Sequence, residues 1–156
     1  MTTFHTFLRT ILEQAGREAQ GDRSTTTEAQ HLLLAMASRA EAETRALMLS
    51  VGLDHRRIRA ALDVEFEHAL SAAGVSVEAT EARRGESATH DTPALGTSVH
   101  HALERGLRAI RGAPRPAHLL LGILQADVGT VPRALALAGF DRAALIARVQ
   151  QTLEAE

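Results

Sequence analysis

His31-Leu32-Leu33-Leu34-Ala35-Met36 returns in the same chain as His118-Leu119-Leu120-Leu121-Gly122-Ile123, 87 positions later (118 − 31). Twenty residues past each histidine a second pattern recurs, Val51-Gly52-Leu53-Asp54 and then Ala138-Gly139-Phe140-Asp141. Two landmarks at one fixed offset mark an internal repeat, which is one supersecondary unit used twice. Both six-residue stretches are apolar nearly all round, so their helices are expected to be central, with neighbours on more than one side.

Upstream of the first stretch, Phe4, Phe7, Leu8, Ile11, Leu12, Ala15 and Ala19 follow the three-and-four spacing of a helix with one buried stripe. Thr2 or Thr3 is placed to cap it, and Gly21-Asp22 to stop it. Ser24 to Thr27 supply side-chain oxygens to cap the next helix, which carries His31. Downstream, a third helix is expected over roughly Glu43 to Ser50, with Gly52 as its left-handed terminator and Leu53 folding back on it. Asp54 then caps a fourth helix bearing Ile58, Ala61, Leu62, Phe66 and Leu70.

From Gly74 to Asp91 the stripe is lost, and Glu78 to Ser87 is charged and small, the composition of a solvated linker. Val75 and Val77 alternate with Ser76, which allows a brief extended segment there. Thr92-Pro93 reads as a helix N-cap followed by proline at the first helical position. Leu95, Val99, Ala102, Leu103, Gly106, Leu107 and Ile110 are expected to carry that helix. The His118 helix follows, then one around Val131 to Ala138, and an Asp141-capped helix through Leu145, Ile146, Val149 and Leu153. The expected fold is therefore all-α: two tandem pseudo-symmetric four-helix repeats, about 3–73 and about 92–154, joined by a linker over about 74–91. One repeat alone would have a thin core, so the two are expected to share apolar surface as a single domain over 1–156, with a groove where they meet.

Composition narrows function mainly by exclusion. The chain has 156 residues, a formal net charge of −2 and no cysteine, which removes disulfides, thiolate zinc sites and cysteine nucleophiles. No long apolar run predicts a membrane span, and Arg9 interrupts the order of a signal peptide, so a cytoplasmic location is expected. The arginines are dispersed, without the basic footprint of a nucleic-acid binder. Arg56-Arg57-Arg59 is the one tight basic cluster and reads as a solvated face, with Asp63, Glu65 and Glu67 just beyond.

His31 and His118 open apolar runs, where a histidine is expected to be packed and hydrogen-bonded through one ring nitrogen, since neither has a base's partner or a metal's other ligands in its motif. His100, His101 and Glu104 are the densest metal-like group but lack further ligands, so no metal is expected. No His-Glu-x-x-His, Gly-x-Ser-x-Gly or Gly-x-x-x-x-Gly-Lys-Ser/Thr pattern occurs. The chain is read as a non-enzyme without cofactors.

A phenylalanine opening a helix 27 positions before His-Leu-Leu-Leu, with Gly-Leu-Asp twenty beyond, resembles the Clp N-terminal repeat. Phe4, Leu8, Ile11, Leu12, Ala15, Glu18 and Ala19 match its first-helix pattern, and Thr92-Pro93 stands where the family has Phe-Thr-Pro. The likeness spans nearly the whole chain and is closest to the N-domains of the unfoldases ClpA, ClpB and above all ClpC, here as an N-domain without its ATPase modules. It implies recognition of adaptors, substrate segments, phosphorylated arginine or antibacterial cyclic peptides. In ClpC-type domains phosphoarginine recognition depends on the glutamate of Thr-Glu-His, which pairs with a guanidinium at two points. Here the motifs are Ala29-Gln30-His31 and Pro116-Ala117-His118, so phosphoarginine binding is not expected, and Glu28 is expected to point to another helix face. The family's cyclic-peptide surface uses the first helices of both repeats, with an aromatic that is Asp91 here and a basic residue that is Gly96.

The resemblance thus implies a binding surface built from Phe4, Leu8, Leu12, Gln30, Asp91, Leu95, Val99 and His100. It implies a non-catalytic module that adapts or modulates a ClpC- or ClpA-like ATPase, or sequesters a peptide antibiotic directed at one. The alternative reading is a helical DNA-binding regulator that reuses the fold.

Overall fold

The computed structural model describes residues 3–74 and 93–155, and they form an all-α fold. The first half comprises α1 (Phe4–Gly21), β1 (Thr26–Thr27), α2 (Ala29–Arg39), α3 (Ala42–Ser50) and α4 (His55–Ala72). The second comprises β2 (Ala94–Leu95), α5 (Thr97–Arg108), α6 (Pro116–Leu124), α7 (Thr130–Leu137) and α8 (Arg142–Glu154). None of these helices is long and apolar enough to cross a membrane. The expected linker core, Asp91, Thr92 and the Val75–Val77 segment all lie outside the described residues.

Local rules account for most boundaries. Thr3 caps α1, its hydroxyl accepting the Thr6 N–H. Asp54 caps α4 through the Arg57 N–H, and Asp141 caps α8 through the Ala144 N–H. Gly52 and Gly139 end α3 and α7 at φ 84° and 85°. Each is followed by an apolar residue whose N–H returns to the carbonyl five residues back, Leu53 to Met48 at 2.8 Å and Phe140 to Leu135 at 2.9 Å. Both are Schellman endings, and a residue with a Cβ would carry a left-handed penalty there.

Gly21-Asp22 end α1 as expected, Gly21 as the last helical residue and Asp22 as the C-cap, while Arg23 takes the left-handed place at φ 57°, with the Ser24 N–H returning to the Ala19 carbonyl. Two expectations are corrected. Ser24 to Thr27 do not cap α2, because Thr26-Thr27 form a strand and the N-cap is Glu28. Pro93 does not open α5. Ala94-Leu95 extend instead, pair in parallel with Thr26-Thr27, and hand over to α5 with Gly96 as its N-cap. The ladder bond from the Gly96 N–H to the Thr27 carbonyl, 2.8 Å, fixes that start.

The core is centred on α2 and α6. Every residue from His31 to Met36 and from Ala117 to Leu124 is buried. α2 packs against α1, α3, α4, α5, α6 and α7, the many-sided surroundings expected for a helix apolar all round. Small residues set the closest approaches. A Cβ at Gly106 would lie 2.8 Å from the His118 carbonyl oxygen, and one at Gly122 would drive into the backbone of Ala102 and Gly106. The positions 87 residues earlier, Ala15, Ala19 and Ala35, are all fully buried alanines where α1 meets α2.

Candidate functional site

The two landmark histidines occupy the third position of their helices and reach back to the start. His31 Nδ1 accepts the Glu28 N–H at 2.9 Å, and His118 Nδ1 accepts the Arg115 N–H at 2.9 Å. This is the returning half of a capping box, with imidazole in the place usually held by glutamate or glutamine. An accepting Nδ1 carries no proton, so each neutral ring bears its hydrogen on Nε2. His31 spends that hydrogen on Asp22 Oδ2 at 3.2 Å, so it is bonded through both nitrogens rather than one. Asp22 also accepts from Arg59 Nη1 at 2.9 Å, and Arg59 Nη2 reaches Glu18 Oε2 at 3.2 Å. Arg59, read as part of a solvated basic face, is therefore turned inward to tie α4 to the end of α1. Burial pushes the Asp22 carboxyl up, but the His31 hydrogen bond and the Arg59 charge outweigh it and hold it below the ordinary range. Burial and the neighbouring Arg115 charge hold the His118 imidazole below its ordinary value.

Where the halves meet, Glu28 does not point away. Its Oε1 accepts the Ser98 hydroxyl at 2.6 Å, and that same hydroxyl oxygen accepts the Ala29 N–H at 2.8 Å. A residue of α5 thus caps α2. A Cβ at Gly96 would strike the Glu28 carboxylate, so this contact requires glycine at the head of α5. Burial raises the Glu28 carboxyl, yet hydrogen bonds from Ser98 and Thr26 win and keep it low and ionised.

A cavity of about 320 Å³ opens beside this junction, lined by Glu28, Gln30, Ser98, His101, Arg105, Asp127 and Arg133 among others. Arg105 donates from Nε to the Gly122 carbonyl at 2.8 Å, and Arg142 donates to the Leu124 carbonyl at 3.0 Å, so two guanidinium groups close the C-terminal end of α6. Arg133 Nε reaches the buried Glu65 at 3.1 Å and ties α7 to α4 across the halves. The cavity presents carboxylate, guanidinium, imidazole, hydroxyl and amide groups, a set suited to holding polar backbone and side chains. Among the described residues no three histidine, aspartate or glutamate side chains are grouped to hold a metal ion.

The structure distributes the expected surface residues. Gln30 lines the junction cavity. Phe4 lines a separate hollow with Phe7, Pro114 and Pro116, its ring stacked on Phe7 at 5.8 Å between centroids. Leu8 and Leu12 are half-buried against the core. Leu95 stands on β2 rather than in a helix and is exposed, as is His100 on α5. Val99 is fully buried on the stripe it shares with Ala102 and Gly106 and cannot meet a ligand at the surface. Asp91 lies outside the described residues. Glu28, Ser98, Arg105 and Arg133 were missed. Glu28 was legible as the N-cap three residues before the repeat histidine, whereas nothing in the pattern marked Ser98.

No family model matches this chain, and no curated protein is significantly similar to it.

Proposed function

We propose that the chain is a non-catalytic recognition module, two copies of one four-helix unit related to the Clp N-terminal repeat. It takes a peptide or peptide-like ligand at the junction of the copies. In that role it adapts or modulates a ClpC- or ClpA-like ATPase, or sequesters a cyclic peptide that targets one. The observation that carries this reading is the matched pair of histidines. Each sits at the third position of its central helix and accepts the N-cap N–H at 2.9 Å, 87 residues apart and ahead of the same tri-leucine. Matching Schellman endings and matching aspartate caps at the same offset support it.

The departures from the family motif shape the specificity. With Gln30 and Ala117 before the histidines, no carboxylate stands ready for two-point pairing with a guanidinium at either place. Calorimetry of the full chain with a purified ClpC-type hexamer, an antibacterial cyclic peptide and free phosphoarginine tests the reading. Binding is expected to the hexamer or the cyclic peptide and not to phosphoarginine. Binding to neither the hexamer nor any peptide would remove this class of function.

A further inference from the structure

We infer that the second half holds an open carboxylate-binding site at His118 Nε2, for the acidic side chain of a peptide or a small organic acid. The inference goes beyond the function proposed above and needs only the geometry of the two histidines. Both spend Nδ1 on the N-cap N–H of their own helix, which leaves Nε2–H as the one donor. In the first half that donor meets the Asp22 carboxylate. The position 87 residues after Asp22 is Ala109, which has no carboxylate to offer.

His118 is 6% exposed, and among the described residues its Nε2 has no hydrogen-bond partner. Ala109 and His118 instead line one hollow of about 510 Å³, together with Arg111, Arg115, Gln150 and Glu154. The chain therefore displays, in its own first half, the group that the second half lacks. The Nε2–H opens to the hollow, and a charge-assisted bond to a carboxylate is the strongest hydrogen bond it can make there.

The surrounding charges fit the same chemistry. Asp22 sits at the C-terminal end of α1, where the helix dipole opposes an anion, and Arg59 offsets this by direct contact. The hollow at His118 likewise faces the ends of α5 and α8. The position matching Arg59 is Ile146, but Arg111 lines the hollow and supplies positive charge; Arg115 lines it too, with its guanidinium paired to Glu43 and donating to the Thr152 carbonyl. Glu154 is the opposing charge, at the last turn of α8. Burial and the Arg115 charge lower the proton affinity of this imidazole, and a bound carboxylate would raise it as a counter-charge does.

The test follows the imidazole nitrogens of the full chain by NMR across pH, with three probes: sodium acetate, N-acetyl-aspartate amide and inorganic phosphate. N-acetyl-asparagine amide is the control. A shift of the His118 Nε2 signal and a rise in its apparent pKa are expected with the aspartyl probe, none with the asparaginyl one, and no change at His31. Response to acetate as strong as to the aspartyl probe assigns a small organic acid, and a stronger aspartyl response assigns a peptide side chain. Ala109→Asp supplies the missing carboxylate in place. It should raise the His118 pKa without any probe and weaken the aspartyl response by roughly tenfold or more, the worth of one charged hydrogen bond. His118→Gln keeps an acceptor for the N-cap, stays folded and loses the response. Equal response to aspartyl and asparaginyl probes, tighter phosphate than carboxylate binding, no response to any probe, or an Ala109→Asp chain with unchanged His118 pKa would each overturn the assignment.

Discussion

At the scale of single residues, the histidine in the capping box makes stability depend on pH. The His118 pKa is lowered in the folded chain by burial, with the Arg115 charge acting in the same direction, whereas the unfolded side chain titrates near 6.5. Between that value and the lower folded one the unfolded chain binds a proton that the folded chain refuses. Its contribution is thus complete above about pH 6.5 and is lost as the pH falls through the folded value. Melting temperatures of the parent and His118→Gln across pH 5 to 8 should converge toward the acid side, because glutamine serves the same cap without titrating. His118→Ala should cost about 1–2 kcal/mol at pH 7.5 through loss of the cap. Asp22 and Glu28 act lower on the scale. Both are held below their ordinary range, so their contributions stand above about pH 4.5 and vanish as acid protonates them. The Thr27 hydroxyl is buried and has no partner among the described residues, so Thr27→Val is expected to gain about 1 kcal/mol in urea unfolding.

At the scale of elements, two kinds of glycine separate cleanly. Gly139 ends α7 at φ 85° with open space around a would-be Cβ, so Gly139→Ala should cost only the left-handed backbone penalty, about 1–2 kcal/mol. Gly122 has ordinary helical geometry, but its would-be Cβ meets the α5 backbone. Gly122→Ala must push α5 off α6 and is expected to cost more, about 3 kcal/mol or above, read as a larger drop in the urea midpoint. The Schellman glycines and aspartate caps were legible in the sequence because each rule spans only a few neighbouring residues. The head of α5 was not. Thr92-Pro93 satisfied the local rule for a helix start, yet a strand pairing with residues some 68 positions earlier (94 − 26) extends Ala94-Leu95.

At the scale of the molecule, the halves are joined by a strand pair, the Glu28–Ser98–Ala29 relay and the Glu65–Arg133 pair. The repeated stretch made the all-α class and the central helices legible, since burial on all sides requires an apolar sequence on all sides. The candidate site was only partly legible. Gln30 was marked by the motif, but Ser98, Arg105 and Arg133 reach the cavity through tertiary packing that has no period in sequence. A fragment of residues 1–74 is expected to melt without cooperativity by circular dichroism, because α2 and α4 would lose the faces that α5, α6 and α7 cover. The proposed function is recognition of a Clp-related protein or peptide. The most direct measurement is the melting temperature of the full chain with a cyclic peptide of the Clp-targeting kind, free phosphoarginine and short unfolded peptides. A ligand at a hundred times its Kd should add about 2.7 kcal/mol, a rise of roughly 5–10 °C for a chain of this size. A rise with the cyclic or unfolded peptides and none with phosphoarginine is the expected result. A rise with phosphoarginine alone, or with none of the three together with no binding to a ClpC-type hexamer, would contradict the proposed function.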